Sequence, residues 1–127
     1  MIKYLYLFAA LSGFCSVACG AFGAHALGAL LEPRLLAAFK TGVQYQMSHS
    51  LVLLITLLFM ALKGENPQLK FSCCAFAGGI VLFSGSLYLI ALTELRWLGP
   101  VTPIGGVLLL SGWLLLAIGV WRNTSKD

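Results

Sequence analysis

TGVQYQMSHS (Thr41–Ser50) runs without a turn residue into LVLLITLLFMAL (Leu51–Leu62). The second half has no polar face, so as a helix it suits hydrocarbon rather than water. The first half carries Gln44, Gln46 and His49 into the same segment. Lipid tails offer no hydrogen bonds, so these side chains must find partners within the protein. One stretch therefore fixes two expectations: a membrane-crossing helix, and a polar site built on its outer half.

The rest of the chain agrees with the first expectation. It has 127 residues, 60% hydrophobic and 9% charged, against roughly 25% charged in a soluble domain. Apolar segments over about 4–27, 41–63, 69–93 and 103–121 take up most of the length, each long enough for the ~20 residues a crossing needs. The expected fold is all-α, an integral membrane four-helix bundle forming a single domain. From Pro33 the pattern stays helical through Lys63, roughly 46 Å of helix, so residues 33–40 are expected at the interface. The net charge of +4 comes from scattered basic residues, not a run or stripe, so no nucleic-acid partner is implied. Lys3, Lys63, Lys70, Arg122 and Lys126 fall on one side of a four-span topology, and Arg34, Lys40 and Arg96 on the other. The positive-inside rule then puts both termini in the cytoplasm. Lys3 ahead of an apolar run, with Ala24-His25-Ala26 behind it, also resembles a signal peptide, but the run is long and three more spans follow. An uncleaved first span is expected.

Small residues mark where helices should touch. Ser12, Ser16, Gly20, Ala24 and Gly28 recur every four residues, a ridge that would let a second helix approach closely. On this reading Gly20→Leu is disruptive, and Leu57→Ala, on the apolar half of the second span, is milder. Ser72, Gly79, Ser86 and Thr93 repeat every seven residues, with Gly78 and Gly85 beside them; Gly105, Gly112 and Gly119 do the same later. Asn66-Pro67 signals a turn. Thr102 and Pro103 read as N-cap and first residue of the last span, and Gly42 as a bend in the second.

The candidate ligand-binding residues are His25, Gln44, Gln46, His49, Ser84 and Ser86, which depth arithmetic places in the outer half of the bundle. Three roles compete. The polar groups satisfy one another and fix helix register, at ~0.6 kcal/mol per bond; or they bind a small ligand, ion or proton; or they meet a membrane-protein partner or a second copy. Desolvation favours a neutral imidazole at His49. Cys15 lies about 12 Å in depth from Cys73, too far for Cys15, Cys19, Cys73 and Cys74 to share one metal ion. A Cys19-His25-His49 site is the only metal alternative, and no cofactor is expected. No G-x-S-x-G, H-E-x-x-H, P-loop or Rossmann glycine pattern is present, so no enzyme activity is assigned.

Four motifs carry a resemblance: GAFGAHAL (Gly20–Leu27), TGVQYQMSHSLVLL (Thr41–Leu54), LFSGSLYLIALT (Leu82–Thr93) and LGPVTPIGGVLLLSGW (Leu98–Trp113). In this order they closely resemble the domain of unknown function 423 family, small bacterial inner-membrane proteins. The resemblance covers almost the whole chain and implies a four-helix membrane protein with no agreed biochemical activity. The family pattern usually has tyrosine before the second histidine, where this chain has Ser48.

Overall fold

The computed structural model describes residues 1–125, and among these the chain is helical with short connections. Helix α1 covers Ile2–His25, α2 Pro33–Lys63, α3 Pro67–Gly79, α4 Gly85–Thr93 and α5 Val101–Thr124. A five-residue π turn, Ile80–Ser84, joins α3 to α4 into one continuous third span. Four helical segments are long and apolar enough to cross a membrane: Ile2–His25, Pro33–Lys63, Pro67–Thr93 and Arg96–Thr124. The fold is a four-helix membrane bundle. Lys126, counted above in the charge bias, lies outside the described residues.

Local chemistry sets the ends. Pro33 opens α2 in the first turn, where its missing N–H costs nothing, and α2 runs unbroken to Lys63. Gly64 then stops it at φ +92, a conformation that side chains resist. Asn66 caps α3 by accepting from the Leu69 N–H (2.9 Å), with Pro67 at the first position. The same Asn66 amide donates to the Gly119 carbonyl (2.9 Å) and to Asn123 Oδ1 (2.8 Å). Asn123 in turn donates to the Gly64 carbonyl (2.8 Å). One turn between α2 and α3 is thus tied to the far end of α5. The last span begins at Val101, ahead of the expected Thr102–Pro103 start. Thr102 does not cap it; its hydroxyl lies 2.7 Å from that of Ser86.

Packing follows the small residues, though not everywhere as the sequence suggests. The α5 heptad is a contact seam: a Cβ on Gly112 would sit 2.7 Å from the Phe76 ring, one on Gly119 2.7 Å from Leu69, and one on Gly105 against the Phe83 backbone. Gly79 meets Leu109, and Ser72 Oγ donates to the Gly112 carbonyl (2.8 Å). Thr93 lies exposed and Gly85 has open space before it, so the third-span rows contribute only part of their length.

The α1 ridge is shorter than expected. Ser12 and Ser16 are buried and a Cβ on Gly20 would meet Val43 at 3.4 Å, but Ala24 and Gly28 are exposed. A strict four-residue repeat drifts by about 40° per step around a 3.6-residue helix, so the far end turns away from α2. Gly23 takes over, where a Cβ would stand 3.1 Å from the Phe39 ring, and the helix ends at His25 before Gly28 is reached. The expected mildness of Leu57→Ala does not hold either. Leu57 is 1% exposed inside the main core with Leu53, Phe76 and Leu109.

Contacts run in the order α1, α2, third span, α5, with α2 and the third span along the shared middle. The remaining approaches, α1 to the third span and α2 to α5, are slight. Two clefts result, one on each side of the central pair.

Candidate binding groove

The polar residues of the second span face two different neighbours. Toward α1, Gln46 is buried and its Nε2 donates to the Ser12 carbonyl (3.0 Å) and Ser12 Oγ (3.3 Å). That carbonyl can only accept, which fixes the amide orientation and turns Gln46 Oε1 toward the Tyr88 hydroxyl, its donor at 2.6 Å. Ser50 shares one proton between Ser12 Oγ and the Gln46 carbonyl, both at 2.7 Å. Three spans are joined here and the network closes on itself. Beside it lies a cleft of 340 Å³, bounded by α1 and the third span and walled chiefly by apolar side chains such as Leu11, Ile80 and Val81.

Toward α5, His49 is 7% exposed and its two ring nitrogens are both engaged. The Trp113 indole, a donor only, reaches Nε2 at 3.2 Å. Nε2 must therefore be the unprotonated nitrogen, and Nδ1–H donates to the Tyr45 carbonyl at 2.8 Å. The imidazole is neutral in this arrangement. Tyr45 stacks over His49 with 5.6 Å between centroids, and the Phe76 and Trp113 rings hold its other sides at 5.8 and 6.2 Å.

Between α2 and α5 opens a groove of 620 Å³. Its α2 wall is Gln44, Tyr45, Ser48 and His49; its α5 wall runs from Pro103 through Gly106, Val107 and Leu110 to Trp113, with Phe83 at the back. A Cβ on Gly106 would stand 3.8 Å from the Phe83 ring, in ordinary contact. Gln44 and Ser48 are exposed, and among the described residues neither side chain has a hydrogen-bond partner. Hydrocarbon offers such groups no hydrogen bond. Amphipathic molecules satisfy both walls at once, with polar atoms on Gln44 and Ser48 and an apolar part on Val107 and Leu110.

The expected site residues are thus distributed rather than gathered. Gln44 and His49 share the groove, while Gln46, about 60° round the helix from His49, turns to Ser12 and Tyr88. Ser84 donates to the Gly42 carbonyl (2.7 Å), where Tyr88 and Leu87 also press on that glycine, so Gly42 is a point of close approach. Ser86 turns to Thr102 on α5 and to the Phe83 carbonyl (2.9 Å). Two residues apart on a helix means about 200° of rotation, so the two serines serve different neighbours. His25 ends α1, exposed, and bonds to neither network. Among the described residues no three His, Cys, Asp or Glu side chains come together as a metal site, and all four cysteines are free thiols. Sequence reasoning passed over Trp113. Its signal is position: a tryptophan in mid-span, away from the interface, brings an N–H that must be bonded inside the protein.

Comparison with known proteins places this architecture. The model of the family described as "Protein of unknown function (DUF423)" matches residues 19–106. The chain belongs to this family. It is 45% identical over 97% of its length to a UPF0382 membrane protein of Haemophilus influenzae, covering 97% of that protein. It is 42% identical over 98% of its length to the UPF0382 inner membrane protein YgdD of Escherichia coli K12, covering 94% of it. A UPF0382 membrane protein of Staphylococcus saprophyticus is 40% identical over 95% of this chain and 99% of its own length. No solved structure matches. Within this DUF423 member, the groove lies inside the matched region except for part of its α5 wall, Val107 to Trp113.

Proposed function

We propose that this protein binds a small amphipathic molecule within the membrane, in the groove between α2 and α5. The observation carrying the reading is the pair of unpartnered polar side chains, Gln44 and Ser48, facing an apolar wall across 620 Å³. Pockets of this order, mostly apolar with a few directed polar groups, suit single small ligands. The His49–Trp113 bond, 3.2 Å long, closes the inner end. Inner-membrane residence is supported by the name of the E. coli relative, and cytoplasmic termini by the distribution of basic residues. The groove then opens toward the periplasmic half of the bilayer.

Purification in a mild detergent followed by small-molecule and lipid mass spectrometry tests this. A stoichiometric amphiphile is expected, retained by the wild type and lost from Gln44→Leu/Ser48→Ala. A stoichiometric protein partner or second copy in its place, with no small molecule, would overturn the reading in favour of an accessory or assembly role.

A further inference from the structure

Aromatic rings and neutral polar groups line the α2–α5 groove, and no charge does. Tyr45, His49, Phe83 and Trp113 border it, while among the described residues no Asp, Glu, Lys or Arg is in its walls. His49 is itself neutral, its two nitrogens held by the Tyr45 carbonyl and the Trp113 indole. A charged group between these walls would lose water and gain no counter-charge, so the lining selects a neutral occupant. Nor are the rings all spent on one another. Tyr45 stacks on His49 and tilts against Phe83 at 4.5 Å, yet stays 41% exposed. Trp113 is 47% exposed and meets Phe76 and His49 nearly at right angles, 82° and 74°. Among the described residues no ring lies parallel to the indole, and a flat partner in offset stacking gains more from such a face than a flexible chain does. The Tyr45 hydroxyl joins Gln44 and Ser48 in having no hydrogen-bond partner among the described residues. All three side chains can donate.

We infer that the occupant is a membrane quinone, a flat uncharged ring with carbonyl acceptors on its edge and a long apolar chain. Its ring lies against the Trp113 indole, its carbonyls accept from Ser48 and from Gln44 or Tyr45, and its chain leaves over Val107 and Leu110 into the lipid. The inference rests on the groove reading above and names the ligand class. A diacyl lipid supplies carbonyls and chains but no plane for the rings, and a phospholipid adds a charge that the lining does not answer. A flat hydrocarbon would leave the three donors bare.

The full chain with Trp97→Phe and Trp121→Phe, both exposed positions, keeps Trp113 as its sole tryptophan. In phosphatidylcholine vesicles it is titrated with decylubiquinone, which quenches indole fluorescence. Saturable quenching at one quinone per chain is expected, against an unsaturated decline when Trp121 is the tryptophan kept. Gln44→Leu/Ser48→Ala should weaken binding about sevenfold, as the loss of two hydrogen bonds within a membrane implies. Val107→Phe, which adds bulk on the groove wall, should abolish saturation while keeping its helical circular dichroism. Dioleoylglycerol, neutral and with ester carbonyls but no ring, should leave the bound quinone in place at equal concentration. Displacement by dioleoylglycerol overturns the quinone inference and leaves the groove standing. Unsaturated quenching at Trp113 does the same where the purified chain carries another amphiphile, and overturns the groove as well where it carries none. Saturation unchanged in both groove variants puts the quinone elsewhere on the protein and overturns the inference.

Discussion

Replacing Gly105 by alanine places a methyl group where the backbone of the third span already lies. The new Cβ would stand 2.7 Å from Phe83 Cα and 2.9 Å from the Leu82 carbonyl carbon, with the Phe83 nitrogen nearer still. Ordinary contact is 3.4 Å or more, and backbone within the π turn cannot rotate aside as a side chain can. The helices must therefore part by most of an ångström. Overpacking of this kind costs about 1–3 kcal/mol. Separation also strains the Ser86–Thr102 and Ser72–Gly112 hydrogen bonds, at ~0.6 kcal/mol each. Against this, alanine for glycine inside a helix returns about 0.8–1 kcal/mol. Gly13→Ala isolates that return, since a Cβ there meets nothing within 4 Å. The two variants should differ by about 2–4 kcal/mol, Gly105→Ala being the weaker, on the sum of these terms. Unfolding in mixed micelles titrated with sodium dodecyl sulfate, followed by far-ultraviolet circular dichroism, measures the difference. Equal midpoints for both variants would refute the close α5 seam.

Gln46→Leu removes the donor to Ser12 and strands the Tyr88 hydroxyl; it should lower stability by about 2–3 kcal/mol, with Tyr88→Phe costing no more than ~1.7, in the same titration. Leu57→Ala empties a fully buried site and should cost about 2–5 kcal/mol, more than Gly20→Ala, whose new methyl meets only Val43 at 3.4 Å; the reverse order would restore the long α1 ridge. Asn66→Ala loses a cap and two links to α5, so limited proteolysis should reveal earlier cutting near Gly64 than in the wild type. Alkaline phosphatase fused after the C-terminus should be inactive if that end is cytoplasmic, and an active fusion would invert the topology.

How much of this was legible depended on whether a feature is local. Four apolar segments, Asn66-Pro67 and the unbroken pattern from Pro33 to Lys63 are local, and they read correctly. The α5 glycines also read correctly, because a seven-residue spacing drifts only about 20° on a helix. The α1 ridge failed at Ala24 and Gly28 because a four-residue spacing drifts twice as fast. The π turn at Ile80–Ser84 left no sequence mark, and with it the division of Ser84 and Ser86 between α2 and α5 was hidden. The polar stretch located the candidate site but not its sidedness. Gln46 and His49 are three residues apart, on adjacent flanks of one helix, and only the arrangement of neighbours shows that α1 takes one and α5 the other.

The central claim is that the α2–α5 groove holds one small molecule that the surrounding lipid does not simply replace. A photoreactive benzoylphenylalanine placed at Leu110, on the groove wall, and separately at Leu114, exposed and outside it, tests this in intact membranes. Irradiation followed by intact-protein mass spectrometry should give one discrete adduct mass at Leu110 and a spread of bulk-lipid adducts at Leu114. The same spread at both positions, or a protein-sized adduct at Leu110, would contradict it.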